Sequence, residues 1–157
     1  MKNLYLDKIH SFKRLSNGLE FKCGVITGPK CISKNPSSIL RLIFYKNNII
    51  RLKMFCEKES NLFNNILVEE SKLNKQIEKN FKINNTAKEI TVVLRDLKII
   101  IEKNRFKMTV LDKKRKVIFE QNNSDSTGWG LPLVYPIGYK KYKNNIQKVR
   151  ETVKLSP

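Results

Sequence analysis

The chain has 157 residues, the size of one ordinary domain that can bury a hydrophobic core without disulfides or a structural metal. Apolar residues at 40% and charged residues at 29% exclude a disordered polymer, and no apolar run reaches the ~20 residues that a membrane-spanning helix needs. The net charge of +18 suggests an electrostatic nucleic-acid binder. Its make-up argues against one: Lys outnumbers Arg 25 to 7 while Asn and Ile reach 17 each, a bias that A/T-rich codons raise together. Phosphate-reading surfaces favour the planar fork of Arg and interleaved aromatics.

The first residues, Met1-Lys2-Asn3-Leu4-Tyr5, show no signal peptide, so the expected location is the cytoplasm. The three cysteines, Cys23, Cys31 and Cys56, form no even set and no close pair. The lone His10 does not complete a zinc site with them, and Cys56 reads as a small core residue. No metal and no cofactor are expected.

Taken in order, most of the chain reads as short strands with period-two alternation. Phe12 to Cys23 reads as a hairpin turning at Asn17-Gly18. Gly28-Pro29 and Asn35-Pro36 punctuate loops. In the hairpin from Ile39 to Cys56, Leu40, Leu42 and Phe44 share a face. Asn47-Asn48 turn the chain, and Ile50, Leu52, Met54 and Cys56 share a face on the return. Ile66 to Val68 reads as a short strand and Leu73 to Asn80 as one or two helical turns. From Glu89 to Gln121 come three or four antiparallel strands, with apolar faces Ile90/Val92/Leu94, Leu97/Ile99/Ile101 and Phe106/Met108/Val110. The turn Asp112-Lys113-Lys114-Arg115 then leads into Val117-Ile118-Phe119.

Residues 122–145 lose the alternation. Gly128, Gly130, Pro132, Pro136 and Gly138 are interspersed with Trp129, Tyr135, Tyr139 and Tyr142, which reads as a long aromatic loop. Val149 to Leu155 reads as a last strand, and the chain stops at Ser156-Pro157 as expected of a boundary between domains. The whole predicts an all-β fold, a two-sheet antiparallel β-sandwich, in one domain over 1–157.

Catalytic motifs are missing from the sequence. There is no phosphate loop, no dinucleotide turn and no nucleophile elbow. Glu69-Glu70 are adjacent, so on a strand they point to opposite faces and cannot flank one glycosidic bond. No catalytic residue is assigned. The candidate binding residues are Trp129, Tyr135 and Tyr139, whose rings suit stacking on a sugar. The alternative for them is a face that packs against a partner domain.

The order of strand motifs resembles the amino-terminal region of family 31 glycoside hydrolases, the α-glucosidase type. Arg41-Leu42-Ile43-Phe44-Tyr45 followed by Asn48-Ile49-Ile50-Arg51-Leu52-Lys53 is similar to that family's "R-x-x-F-Y" and "d-i-i-R-v-r" strands. Leu97 to Asp112 resembles its "l-k-v-x-v-x-k-x-P-F-r-l-x-f-x-D" pair, and Lys116-Val117-Ile118 its "g-k-x-i". Arg105 stands where the family often has proline, and the 122–145 segment matches poorly beyond Gly128-Trp129.

The resemblance implies a galactose-mutarotase-like β-sandwich, an amino-terminal accessory domain whose partner is a catalytic barrel that this chain does not include. Its carbohydrate, an α-glucoside, would be met through the full-length enzyme. The family's catalytic Asp residues would lie in that barrel, and residues 124–145 occupy the place of a loop lent to the substrate pocket. The rival readings are a basic β-domain that binds nucleic acid through surface charge and a stand-alone carbohydrate-binding module.

Overall fold

A computed structural model describes residues 2–26, 38–56, 76–121, 137–142 and 145–151. Within them the chain is all β, without a helix. The strands are β1 (Lys2–Leu15), β2 (Gly18–Ile26), β3 (Ser38–Tyr45), β4 (Ile49–Cys56), β5 (Lys82–Asn85) and β6 (Glu89–Val93). They continue with β7 (Leu97–Glu102), β8 (Lys107–Asp112), β9 (Val117–Glu120), β10 (Ile137–Tyr142) and β11 (Asn145–Glu151). Two antiparallel sheets result, a 6-stranded one in the order β11-β10-β1-β2-β3-β4 and a 5-stranded one in the order β5-β6-β7-β8-β9.

The core is the meeting of the two alternating faces. Leu40, Leu42 and Phe44 of β3 are buried, as are Leu19, Phe21 and Cys23 of β2. From the other sheet come Ile90, Val92, Ile99, Ile101, Met108 and Val110. Phe21 meets Phe106 edge-on at 6.4 Å, and Phe44 meets Phe81 edge-on at 5.0 Å. Such geometry sets the positive edge of one ring against the negative face of the other. Ile50, Leu52 and Met54 of β4 pack on the core from the edge, so the faces read from sequence are the faces observed. The side chain of Cys56 lies outside the described residues.

Two backbone features join the sheets. Register shifts on either side of Ile9 bend β1, and there the Ile9 N–H donates to the Lys103 carbonyl at 2.9 Å while the Phe106 N–H donates to the Asp7 carbonyl at 2.6 Å. A bulge frees donors and acceptors from one ladder for use elsewhere, and the β7–β8 turn takes them up. Arg105 in that turn has φ 54°, a value closed to proline. On the other side, Ile77 bridges to Tyr45, and the Lys46 N–H donates to the Gln76 carbonyl at 2.6 Å.

Gln121 closes β9. It is wholly buried, its N–H donates to the Met108 carbonyl at 3.0 Å, and its Oε1 accepts from the Met108 N–H at 2.9 Å. The side chain supplies an acceptor that the shifted β8–β9 ladder does not. Gln121→Leu is expected to strand the Met108 N–H and cost about 1–3 kcal/mol, measured by urea unfolding. An unchanged midpoint would show that another acceptor serves.

Several expectations need correction. Residues 137–142 are not loop but strand β10, paired with β1 and β11, and the last strand starts at Asn145 instead of Val149. Glycine, proline and tyrosine density outweighed a pairing partner that sits at the opposite end of the chain. β1 begins at Lys2, well before Phe12, and β5 follows where no strand was expected. Residues 76–80 form a turn and a bridge instead of a helical turn. The expected strand Ile66–Val68, residues 73–75, the loop glycines and prolines at 28–29 and 35–36, and residues 152–155 of the expected last strand lie outside the described residues.

Candidate functional site

Of the three aromatic candidates, Trp129 and Tyr135 lie outside the described residues. Tyr139 does not sit in a loop: it is in the middle of β10, opposite Leu4 of β1 and Val149 of β11. A strand position fixes its backbone more firmly than a loop would, next to Gly138, which pairs with Tyr5.

Among the described residues the ionisable groups make ion pairs on the outer faces of the sheets. Arg41 Nε donates to Glu20 Oε2 at 2.7 Å across β2 and β3. Lys107 stands between Glu120 at 2.6 Å and Glu102 at 3.6 Å, across three neighbouring strands. Burial pulls the Lys107 pKa down, but the Glu120 hydrogen bond and the two carboxylates outweigh it and leave it above its ordinary value. A lysine held charged in this way offsets one of the two carboxylate charges and is a poor nucleophile or base. No three or more His, Cys, Asp and Glu residues come together to hold a metal ion among the described residues. His10 is exposed and lies over Gly24, where a Cβ would come 2.7 Å from its Nε2.

Cys23 is a buried thiol of the core, while the side chain of Cys56, the cysteine expected there, lies outside the described residues. Burial pushes its pKa up to about 12 from 9.0, so it stays protonated and inert while the fold is intact. The linkage sign follows: the unfolded chain loses this proton first, so the contribution to stability is whole below about pH 9 and falls as pH rises toward 12. Iodoacetamide at pH 8.5, a value between neutrality and that range, is expected to leave Cys23 unmodified in the native protein and alkylate it in urea. Peptide mass mapping reads the site directly, and alkylation in the native state would contradict the burial.

One end of the sandwich gathers three turns that lie far apart in the sequence. They are the β3–β4 turn at Lys46-Asn47-Asn48, the β6–β7 turn at Arg95-Asp96 and the β8–β9 turn from Asp112 to Lys116. Asp96 ties them together: its carboxylate accepts from Lys113 Nζ at 2.6 Å and from the side chain of Asn48. The hydrogen bond from Lys113 comes first among the causes that hold the Asp96 pKa below the ordinary carboxylate value. Asn47 and Asn48 both have positive φ, 60° and 62°, and form the tight turn that asparagine tolerates. Only the folded chain brings these turns together, since no sequence motif spans them.

No family model matches the chain, and no curated protein matches it in sequence. Solved structures do match in fold. The cycloalternan-forming enzyme from Listeria monocytogenes, in complex with a pentasaccharide substrate, superposes with a TM-score of 0.63 at 16% identity. It covers 87% of this chain and 10% of its own. The Listeria monocytogenes EGD-e protein lmo2446 matches with the same values. Its complex with α-D-glucose, β-D-glucose, magnesium and calcium gives 0.62 at 14% identity. This chain thus spans about a tenth of the length of the structures that it matches, and it has the two-sheet β-sandwich fold of that tenth.

Proposed function

We propose that this chain is the non-catalytic amino-terminal β-sandwich of a larger family 31 glycoside hydrolase of the α-glucosidase type. The observation that carries the reading is the unequal coverage. Nearly all of this chain falls on one tenth of a sugar-processing enzyme, as an accessory domain would. The order of the strand motifs in the sequence supports the same reading. In it the domain braces a catalytic barrel and lends residues 124–136 to the α-glucoside pocket, where Trp129 and Tyr135 stack on sugar rings and Tyr139 borders them from β10. The reacting carboxylates belong to the barrel.

Two measurements on the purified 157-residue chain test this. With 4-nitrophenyl α-glucoside it should release no nitrophenol above background, and steady turnover would overturn the accessory role. Trp129 is the chain's one tryptophan, so its fluorescence reports on the proposed pocket segment. Titration with maltotetraose should not saturate at millimolar sugar, since half the pocket is missing. Tight saturable binding would instead favour a stand-alone carbohydrate-binding module. In the full-length enzyme, Trp129→Ala is expected to raise KM for maltooligosaccharides about tenfold through lost stacking.

A further inference from the structure

We propose that the end of the sandwich where the three turns meet is a docking surface for a protein partner that presents acidic side chains around an apolar centre. Two independent features of the surface converge. The first is charge. Lys46, Arg95, Lys113, Lys114, Arg115 and Lys116 stand against the two carboxylates of Asp96 and Asp112, which leaves +4 on three short turns. Apart from Asp96 and Asp112, these side chains are exposed. Asp96 is used internally, on Lys113 and Asn48, and Asp112 accepts from the Lys116 N–H at 2.8 Å. The carboxylates thus hold the turns in place and offer little to a partner.

The second feature is apolar exposure. The large hydrophobic residues exposed among the described residues are Ile49 at 43%, Val93 at 45%, Val117 at 40% and Ile118 at 55%. Val93, Val117 and Ile118 lie within two positions of the β6–β7 and β8–β9 turns on the five-stranded sheet, whereas Ile49, opposite Tyr45, is on the outward face of the six-stranded sheet. Val93 and Val117 belong to one cross-strand row, through Lys98 and Leu111. The register shift in β9 leaves Ile118 as the extra residue beside Val117, and a bulge of this kind re-aims side chains. Scattered exposed hydrophobics need no explanation, whereas their collection at one cationic end does.

The combination selects among anionic partners. Phosphodiester backbones satisfy lysines but bury no aliphatic side chain, and none of the exposed large hydrophobics among the described residues is a ring that could stack on a base. A second copy of this chain would bring the same +4 against +4 and be repelled. An acidic protein face with an apolar centre satisfies both features, since interfaces bury an apolar core inside a polar rim. The inference stands independently of the glycosidase reading.

The test uses fluorescein-labelled peptides of about twelve residues, long enough to cover such a patch. One alternates glutamate with valine, a second is polyglutamate, and the third probe is a DNA duplex of similar length. The alternating peptide is expected to bind with the largest change in anisotropy. Lys114→Glu with Arg115→Glu, and separately Val117→Ser with Ile118→Ser, should each weaken it about tenfold. Lys13→Glu, an exposed residue of β1 outside the three turns, should leave it unchanged. All the substituted side chains are exposed. Amide shift mapping on the unmodified protein, expected to move residues 46–49, 93–96 and 112–118, reads the site without any variant. Equal binding of polyglutamate or duplex, shifts mapping elsewhere, self-association with rising concentration, or no binding at all would overturn the proposal.

Discussion

Gly18→Ala is expected to destabilise the protein by about 3 kcal/mol or more, through overpacking plus a lost backbone hydrogen bond. Gly18 opens β2 and pairs with Ile43 of β3. A Cβ there would lie 2.0 Å from the Leu42 carbonyl oxygen, 3.0 Å from its carbon and 3.1 Å from the Ile43 Cα. All three are backbone atoms, so no rotamer change relieves the clash. The strands would have to part where Leu19 and Leu42 are wholly buried and where the Phe44 N–H donates to the Asn17 carbonyl at 2.8 Å. A loss of this size is a large fraction of the 5–15 kcal/mol typical of a domain, roughly the whole margin of a weak one. Urea unfolding followed by circular dichroism gives the answer. A midpoint shared by Gly18→Ala and the unmodified protein would mean that the two strands are further apart than described.

Phe21→Ala should cost about 3–5 kcal/mol, the range for emptying a buried aromatic site. Phe21 is wholly buried between the sheets and contacts Phe106 edge-on and Phe12 at a tilt, each at 6.4 Å between ring centres. The loss has two parts: the apolar surface returned to water and a cavity that two sheets pinned by their own ladders cannot close. Phe21→Leu keeps most of the volume and should cost about 1–2 kcal/mol. The ordering of the two variants in a thermal melt is the check. Equal melting of both would place Phe21 outside the core.

Where sequence and structure agree, the reason is periodicity. Leu40, Leu42 and Phe44, and likewise Ile90 and Val92 or Ile99 and Ile101, occupy alternate positions, and a strand with one wet face permits no other arrangement of such residues. Asn47-Asn48 marked their turn because few other residues accept its left-handed conformation, and Asn17-Gly18 marked the end of the β1–β2 turn. β10 was hidden because Ile137-Gly138-Tyr139 carries no alternation and is held by strands from both sides. β5 was hidden because Lys82–Asn85 is an edge with little apolar content. Cys23 proved to be a core thiol because its strand alternates inward with Leu19 and Phe21. The docking end was illegible for a related reason: Asn48, Asp96 and Lys113 sit far apart in sequence and meet only when the sheets stack.

The pairing of β1 with β10 has a consequence for synthesis. Lys2, Asn3, Leu4 and Tyr5 pair with Lys141, Lys140, Tyr139 and Gly138, which leave the ribosome long after them. Hairpins such as β3–β4 and the β6–β9 meander can assemble as they emerge, since their loops are short. The outer edge of β1 must wait, exposing an unpaired strand while the residues between β1 and β10 are made. The lysines spread along the chain then serve before the fold exists, because mutual repulsion among nascent copies keeps that waiting edge from finding the wrong strand.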